Sequence, residues 1–219
     1  MARERRAPDS PLPTEQTRSQ ETLERLLTAA ELVLRDEGPD GATLRAIADR
    51  AGLSVGIVYR RFPDKDTVLR AVYMRFFERS AAANATALRD PRLSAMPAGP
   101  LARRLIDGAA AGYRTHRRLL RALFMYARNH DDPEFQRRAE LVNAAAFDGV
   151  AKLFESRTRE IHHPDPAAAI VFGLRAVGAV LQDCILFDPS GARDTERMLI
   201  EVTRMFLNYL GVASESRVL

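Results

Sequence analysis

A single cysteine, Cys184, stands in the 219 residues, which excludes an intrachain disulfide framework and a cysteine-built zinc site and fits a reducing compartment, the cytoplasm. Strand signals are almost missing, and no repeat with a period of about 20 to 50 residues appears, so neither a β-fold nor a solenoid is expected. There is no H-E-x-x-H, no G-x-S-x-G and no glycine-rich phosphate loop. Lysine is scarce, at Lys65 and Lys152 only, a composition that fits a GC-rich genome. Net charge is only +4, and the first 75 residues balance 13 Lys and Arg against 12 Asp and Glu. Bulk charge therefore announces no polyanion partner, and the local distribution has to decide.

The N-terminal residues 1–17 are rich in Arg, Pro and Glu and lack an apolar run, so a disordered arm rather than a signal peptide is expected there. Arg3, Arg5 and Arg6 read as an untethered basic tail, with a flexible arm reaching a minor groove as the competing reading. The most hydrophobic stretch, Ala167 to Phe187, is long enough to cross a bilayer, but Arg175 and Asp183 interrupt it, so a buried helix and no membrane partner are expected.

What the chain does have is a 3.6-residue apolar period. Leu23, Leu26, Leu27, Ala30, Val33 and Leu34 form one helical stripe, with a capping box at Thr17 and Gln20 and a stop at Gly38 and Pro39. Thr43 caps a second helix whose inner face is Leu44, Ile47, Ala48 and Ala51; Ser54 caps a third, ended by Pro63; Asp64 caps a long fourth. That fourth helix carries Val68, Leu69, Val72, Tyr73 and Phe76 on its stripe. The segment "RDPRLSAMPAGP" after Leu88 reads as a surface loop. Further helices are expected over Leu101 to Arg117, Arg118 to Asn129, Pro133 to Glu160, Pro166 to Leu186 and Asp194 to Leu210.

The fifteen residues "AGLSVGIVYRRFPDK" contain the informative constellation. Two helices of about two turns, joined through Gly52 with Leu53 closing the joint, make a helix-turn-helix. Ile57 and Val58 are expected to hold the second helix on the core, leaving Ser54, Val55, Gly56, Arg60 and Arg61 for a groove. Glycine costs about 1 kcal/mol in a helix interior, so Gly56 makes sense where backbone must approach DNA closely. From Thr43 to Lys65 five Arg and Lys face two Asp, a local positive excess.

The stretch "TLRAIADRAGLSVGIVYRRFPDKDTVLRAVY" resembles the DNA-binding signature of the TetR family of bacterial transcription regulators, over about Gln20 to Tyr73. Arg60 and Arg61 depart from it, standing where the family often places His, Tyr or another aromatic, so base preference is not carried over. The resemblance implies that Thr43, Ser54, Tyr59 and Lys65 touch phosphates and that Arg45, Val55, Gly56 and Arg60 face or approach base edges, with Arg61 assigned to phosphate. The competing reading, Tyr59 and Phe62 as plain core aromatics beside a solvated basic face, leaves the coincidence of cap, turn and charge unexplained.

One short recognition helix makes few contacts, so such modules act as twofold dimers on palindromic double-stranded DNA. "PAAAIVFGLRAVGAVLQDCILF" is apolar nearly all round and, with "RMLIEVTRMFLNYL", resembles the two helices of the family's dimer interface. Ala169, Gly173, Ala176, Val180, Met205 and Phe206 are the expected interface residues, with monomer core as the competing reading.

The family's ligand-responsive role implies a small-molecule effector pocket. Phe76, Phe77, Tyr113 and Phe124 are its candidate lining together with Met125, Tyr126, Phe147 and Phe154, set against ordinary core packing. The Arg-rich segment 101–130 reads as a solvated face or an anion site.

Catalysis by His162, His163, Asp165 and Cys184 is disfavoured, because adjacent histidines in a Pro-bounded turn point apart. A helical adaptor gives no reason for the Thr43 to Lys65 signature. The expectation is an all-α chain: an arm at 1–17, a three-helix DNA-binding domain at 18–63 and a larger helical effector-binding and dimerisation domain at 64–219. Neither enzyme activity, cofactor nor metal is expected. The resemblance implies a repressor relieved by a ligand.

Overall fold

A computed structural model describes residues 15–188 and 195–213. Most of the expected arm, with Arg3, Arg5 and Arg6, lies outside the described residues, as does Asp194, the expected first residue of the last helix. Among the described residues there is no strand; ten α-helices follow one another. They are α1 (Glu15–Gly41), α2 (Leu44–Ala51), α3 (Val55–Arg61), α4 (Lys65–Ala87) and α5 (Pro91–Ala95). After them come α6 (Ala98–Thr115), α7 (Arg117–Arg128), α8 (Pro133–Glu155), α9 (Pro166–Leu181) and α10 (Thr195–Tyr209).

Local signals account for most helix ends. Thr43 accepts from the Ala46 N–H at 3.1 Å and Asp64 from the Thr67 N–H at 2.7 Å, each satisfying a free amide of the first turn. Gly38 has φ 73°, which breaks α1 before its last three residues where a stop is expected. Thr17 does not cap, because residue 15 is already helical and Thr17 lies inside α1. Ser54 occupies the N-cap of α3 but makes no side-chain capping bond.

Two apolar cores result. The first joins α1 to α4 with Leu119, Ala122 and Leu123 of α7 and with Phe135 and Ala139 of α8. The second gathers α5, α6, α8, α9 and α10 around Leu101, Phe154, Ile170 and Phe206. Phe76 and Phe77 pack against both cores, so α4 joins α7 and α8 in linking them. Arg75 pins α4 to α1 through Glu31 at 2.9 Å and Glu24 at 3.0 Å.

The stretch expected as a loop after Leu88 contains α5. Arg157, buried at 6% exposure, donates to the carbonyls of Leu93 at 2.6 Å, Ser94 at 3.0 Å and Met96 at 2.6 Å, and also to Leu153. Glu160 accepts from the Ala98 N–H at 2.8 Å at the start of α6. The expected helix Pro133 to Glu160 is therefore split: α8 ends at Glu155, and the anchors are Arg157, just before a 3-10 turn over Thr158–Glu160, and Glu160 at its end. The hydrophobic stretch ends as a π-helical segment, Gln182–Phe187. By length and composition Pro166–Phe187 is apolar enough to span a membrane. In this fold Ile170, Leu174, Val177 and Leu181 are buried in the second core, and Arg175 is exposed.

Candidate nucleic-acid interface and effector cavity

The α2–α3 turn is held by backbone geometry only glycine adopts cheaply. Gly52 has φ 64°, and its N–H reaches the Ala48 and Asp49 carbonyls, while the Leu53 N–H bonds Ala48 at 3.0 Å. Arg25 of α1 then donates to the Ala51 carbonyl at 2.9 Å, satisfying the end of α2 from outside. Arg50 bonds Asp36 at 3.0 Å and Glu37 at 3.7 Å, tying α2 back to α1. Arg35 and Arg50 hold the Asp36 carboxyl down at about 2.

Helix α3 is anchored by Val58, fully buried, and by Phe62 just after it. Burial of each contributes about 1.5 to 3 kcal/mol, enough to seat a helix of two turns. Val55, expected to face outward, is half-buried and packs against this core, whereas Ile57 is half-buried outside that cluster. Tyr59 is 56% exposed, and Ser54, Gly56, Arg60 and Arg61 are exposed beside it, with Thr43 and Arg45 on α2's side. A Cβ placed on Gly56 meets nothing within 4 Å, so nothing inside this chain demands glycine there.

Arg45 and Arg60 enter no ion pair among the described residues. Arg61 instead donates to the Ser19 carbonyl at 2.9 Å and to its hydroxyl, which engages it with α1. Lys65 reaches the Asp40 carbonyl at 3.4 Å.

Next to Lys65 lies a polar cluster that draws on three helix regions. Asp66 accepts from Tyr126 at 2.6 Å, from Arg70 at 2.6 Å and from His130 Nε2 at 3.0 Å. His130 Nδ1 accepts from the Asp132 N–H at 3.0 Å, which leaves the ring proton on Nε2 to be given to Asp66. Arg70 also bonds Asp132 and lies 5.6 Å over the Phe135 ring. Partial burial pushes the Asp66 carboxyl up, but the bonds from Tyr126, Arg70 and His130 outweigh it and hold it below the usual range. The i,i+4 spacings of Asp66 with Arg70 and of Tyr126 with His130 were the available sequence signals; nothing local pairs them across α4 and α7.

One helical turn further along α4, Tyr73 marks a cavity of about 350 Å³ between α4, α7, α8 and the π-helical segment. Of the eight residues expected to line a pocket, only Phe124 does so. Phe76 and Phe77 join the two cores, and Tyr113 is half-buried and bonded to Gln182. Met125 is 40% exposed, and Tyr126 turns toward Asp66. Phe147 packs on Gly178, and Phe154 is buried against Phe206. The lining instead adds Arg128, Gln136, Glu140, Asn143 and Phe187. A second concavity, of about 390 Å³ along Gln16 to Glu24, is walled by α1 alone and brings no converging groups together.

The expected dimer residues divide. Ala169 and Phe206 are each 1% exposed, and a Cβ on Gly173 would come within 2.7 Å of the Phe206 ring, so these three face the chain's own core. Ala176 and Val180 are half-buried, and Met205 is exposed. Of eight exposed large hydrophobic residues among the described residues, five (Val171, Phe172, Ile200, Met205 and Tyr209) lie on α9 and α10, with Phe172 and Tyr209 rings 5.4 Å apart. His162 and His163 bond the Gly211 carbonyl and Asp165 respectively, and no cluster of three metal-ligating side chains occurs among the described residues.

A fold that is all-helical among the described residues, with a helix-turn-helix at one end and a helical body behind it, fits the class of helix-turn-helix DNA-binding regulators. Residues 26–72 match the family described as bacterial regulatory proteins, tetR family, and residues 100–210 match the tetracyclin repressor-like C-terminal domain. The chain belongs to the TetR family and is a DNA-binding transcriptional regulator.

Solved structures share its fold. A TetR-family regulator described as putative, from Mesorhizobium loti, is 22% identical with TM-score 0.68, covering 89% of this chain and 98% of its own. SmeT, the repressor of a multidrug efflux pump in Stenotrophomonas maltophilia, is 21% identical with TM-score 0.62, covering 90% and 93%. FadR from Bacillus subtilis, solved with stearoyl-CoA, is 12% identical with TM-score 0.63, covering 86% and 97%. No curated protein matches the chain in sequence.

Proposed function

We propose that the chain is a cytoplasmic, homodimeric repressor that occupies a palindromic operator and leaves it when a small molecule enters the cavity beside Tyr73. The observation that carries the DNA side is the outward edge of α3: Gly56 open to solvent, Tyr59 and Arg60 exposed, and Val58 holding the helix from behind. On this reading Gly56 lets backbone approach the groove, and Arg60 and Arg45 read base edges; Thr43, Ser54, Tyr59 and Lys65 hold phosphates. Val55 contacts bases only through its outer edge, and Arg61 must leave Ser19 to reach a phosphate. The Ser54 hydroxyl is spared for DNA because it makes no capping bond.

Residues 18–63 form the reading head and 64–219 the effector and dimer body. Pairing is assigned to the α9–α10 face with Phe172, Met205 and Tyr209, where exposed apolar side chains concentrate. Ligand release follows from linkage: a molecule that prefers the non-operator arrangement of α4 shifts the two reading heads out of register. SmeT's description as a repressor and FadR's complex with stearoyl-CoA supply precedents within the fold for repression and for ligand binding.

The test is selection of bound sequences from a random DNA pool at fixed salt, beside a Tyr59→Phe, Arg60→Ala double variant. Enrichment of a palindrome that the variant loses is expected. If the variant enriches the same palindrome, the α3 assignment is wrong; if no sequence is enriched by either protein, the operator reading fails.

A further inference from the structure

The cavity's chemistry narrows the effector, given the reading above that the cavity is where an effector binds. Its lining includes two aromatic rings, Phe124 and Phe187, and the polar pair Tyr73 and Asn143. Asn143 Nδ2 donates to the Tyr73 hydroxyl at 2.9 Å. Among the described residues this leaves the Tyr73 O–H without an acceptor and Asn143 Oδ1 without a donor. Burial raises the Tyr73 phenol above its ordinary value, so it stays a neutral donor at any physiological pH. Tyr73 is buried and Asn143 half-buried at the cavity surface, so a guest that carries the reciprocal acceptor and donor adds two hydrogen bonds to the existing pair.

Two further features bound the guest. The mouth carries one cation, Arg128, and one anion, Glu140, neither in an ion pair among the described residues, so the lining has no net charge to attract an ionic ligand. The volume of about 350 Å³ equals roughly a dozen water molecules, the size of a bicyclic ring system.

We propose that the effector is a compact, uncharged, flat aromatic molecule bearing a carbonyl beside an N–H or O–H, its carbonyl accepting from Tyr73 and its donor meeting Asn143. The ring system lies between Phe124 and Phe187, as aromatic walls favour. Arg128 and Glu140 stay at the solvent edge and admit polar substituents of either sign. Tyr73 sits one turn from Arg70 on α4, so a guest that reorients the phenol acts on the same helix whose first residue is Lys65.

The probe is 2-quinolinone, a neutral bicyclic lactam, titrated calorimetrically into the full chain beside 1-methyl-2-quinolinone and decanoate. One molecule per chain is expected to bind. The N-methyl compound, which lacks the donor, and the Tyr73→Phe variant, which lacks the protein's donor, are each expected to bind about tenfold more weakly. Ala127→Phe, which fills the cavity, is expected to abolish binding while its thermal melt shows a folded protein. No saturable heat with 2-quinolinone, equal affinity for the N-methyl compound, or tighter binding of decanoate overturns the proposal. Selective retention of the enriched palindrome, measured on the same preparation, separates the two failures. If palindrome binding persists, only the ligand class falls; if it is lost, the regulator reading falls with it.

Discussion

The Tyr126 hydroxyl donates to Asp66 at 2.6 Å, which fastens the DNA end of α4 to the last turn of α7. Burial and the neighbouring Asp66 carboxylate raise the Tyr126 phenol well above its ordinary range, so the donor persists across all usable pH. Asp66 follows directly on Lys65, and Tyr126 precedes Ala127 and Arg128 at the cavity. The bond therefore lies between the cavity and the helix-turn-helix. Tyr126→Phe is expected to cost about 1 kcal/mol of stability in thermal or denaturant unfolding. It is also expected to weaken ligand-free operator binding by about fivefold, because α4 loses one of its fixed positions. A stability loss with unchanged operator affinity would make the bond structural only.

The carboxylates of this region set a pH window. Bonds from Arg35 and Arg50 hold Asp36 at about 2, and Arg70 with the amides of Glu134 and Phe135 holds Asp132 below its ordinary value. A carboxyl whose folded value is depressed contributes stability above the unfolded value of about 4 and loses it as pH falls through the folded value. These two groups are expected to lower the melting temperature only slightly as pH falls from about 4 to about 2. Asp36→Asn and Asp132→Asn, which mimic the protonated carboxyls, should flatten that decline and lower the neutral-pH melt by about the same small amount, since exposed pairs contribute little.

Several elements were legible because their signals lie within four residues of each other. Thr43, Asp64, Gly38 and Gly52 each announce a helix end through a side-chain acceptor or a left-handed backbone, and the structure uses them so. The break between α6 and α7 at His116 falls within two residues of the boundary expected at Arg117 and Arg118, although no proline or glycine marks it. Gly173 and Gly178 are visible as small residues on α9, but whether the close neighbour is a second copy or this chain's own Phe206 and Phe147 depends on tertiary packing. The cavity is harder still: Tyr73, Phe124, Asn143 and Phe187 come from four segments with no pattern linking them.

Arg157 illustrates the same limit with a measurable consequence. Its guanidinium is buried, and the carbonyls of Leu93, Ser94, Met96 and Leu153 all accept from it, so one side chain orders a segment that reads as a loop. Arg157→Met is expected to cost about 3 kcal/mol or more in chemical denaturation, from several carbonyls left unpaired. Arg157→Lys should recover little, because one ammonium cannot fork between carbonyls on both sides. Full recovery by lysine would show that charge alone, rather than the fork, does the anchoring.

Phe172 and Met205 offer the test of pairing. Both are exposed, at 61% and 43%, on the face where α9 meets α10. Phe172→Glu with Met205→Glu places charge where two apolar faces would meet, so sedimentation should show a monomer that still melts cooperatively. Palindrome affinity should fall by orders of magnitude, while half-site binding, already weak, stays the same. An unchanged dimer would move the interface to another face.

Gly52 and Gly56 separate folding from reading. Gly52 sits at φ 64°, so Gly52→Ala is expected to destabilise by about 1 to 2 kcal/mol and to weaken DNA binding only through the tilt of α3. Gly56 lies inside α3 with open space where a Cβ would go, so Gly56→Ala should raise stability by up to about 1 kcal/mol through helix propensity. If glycine is there so that backbone can approach a groove, the same substitution must weaken operator binding, because the added methyl holds the helix off the base edges. The two effects oppose each other in one variant: a higher melting temperature together with a lower affinity at matched salt. A variant that is more stable and binds as tightly as wild type would remove Gly56 from the interface and leave Tyr59 and Arg60 to carry it.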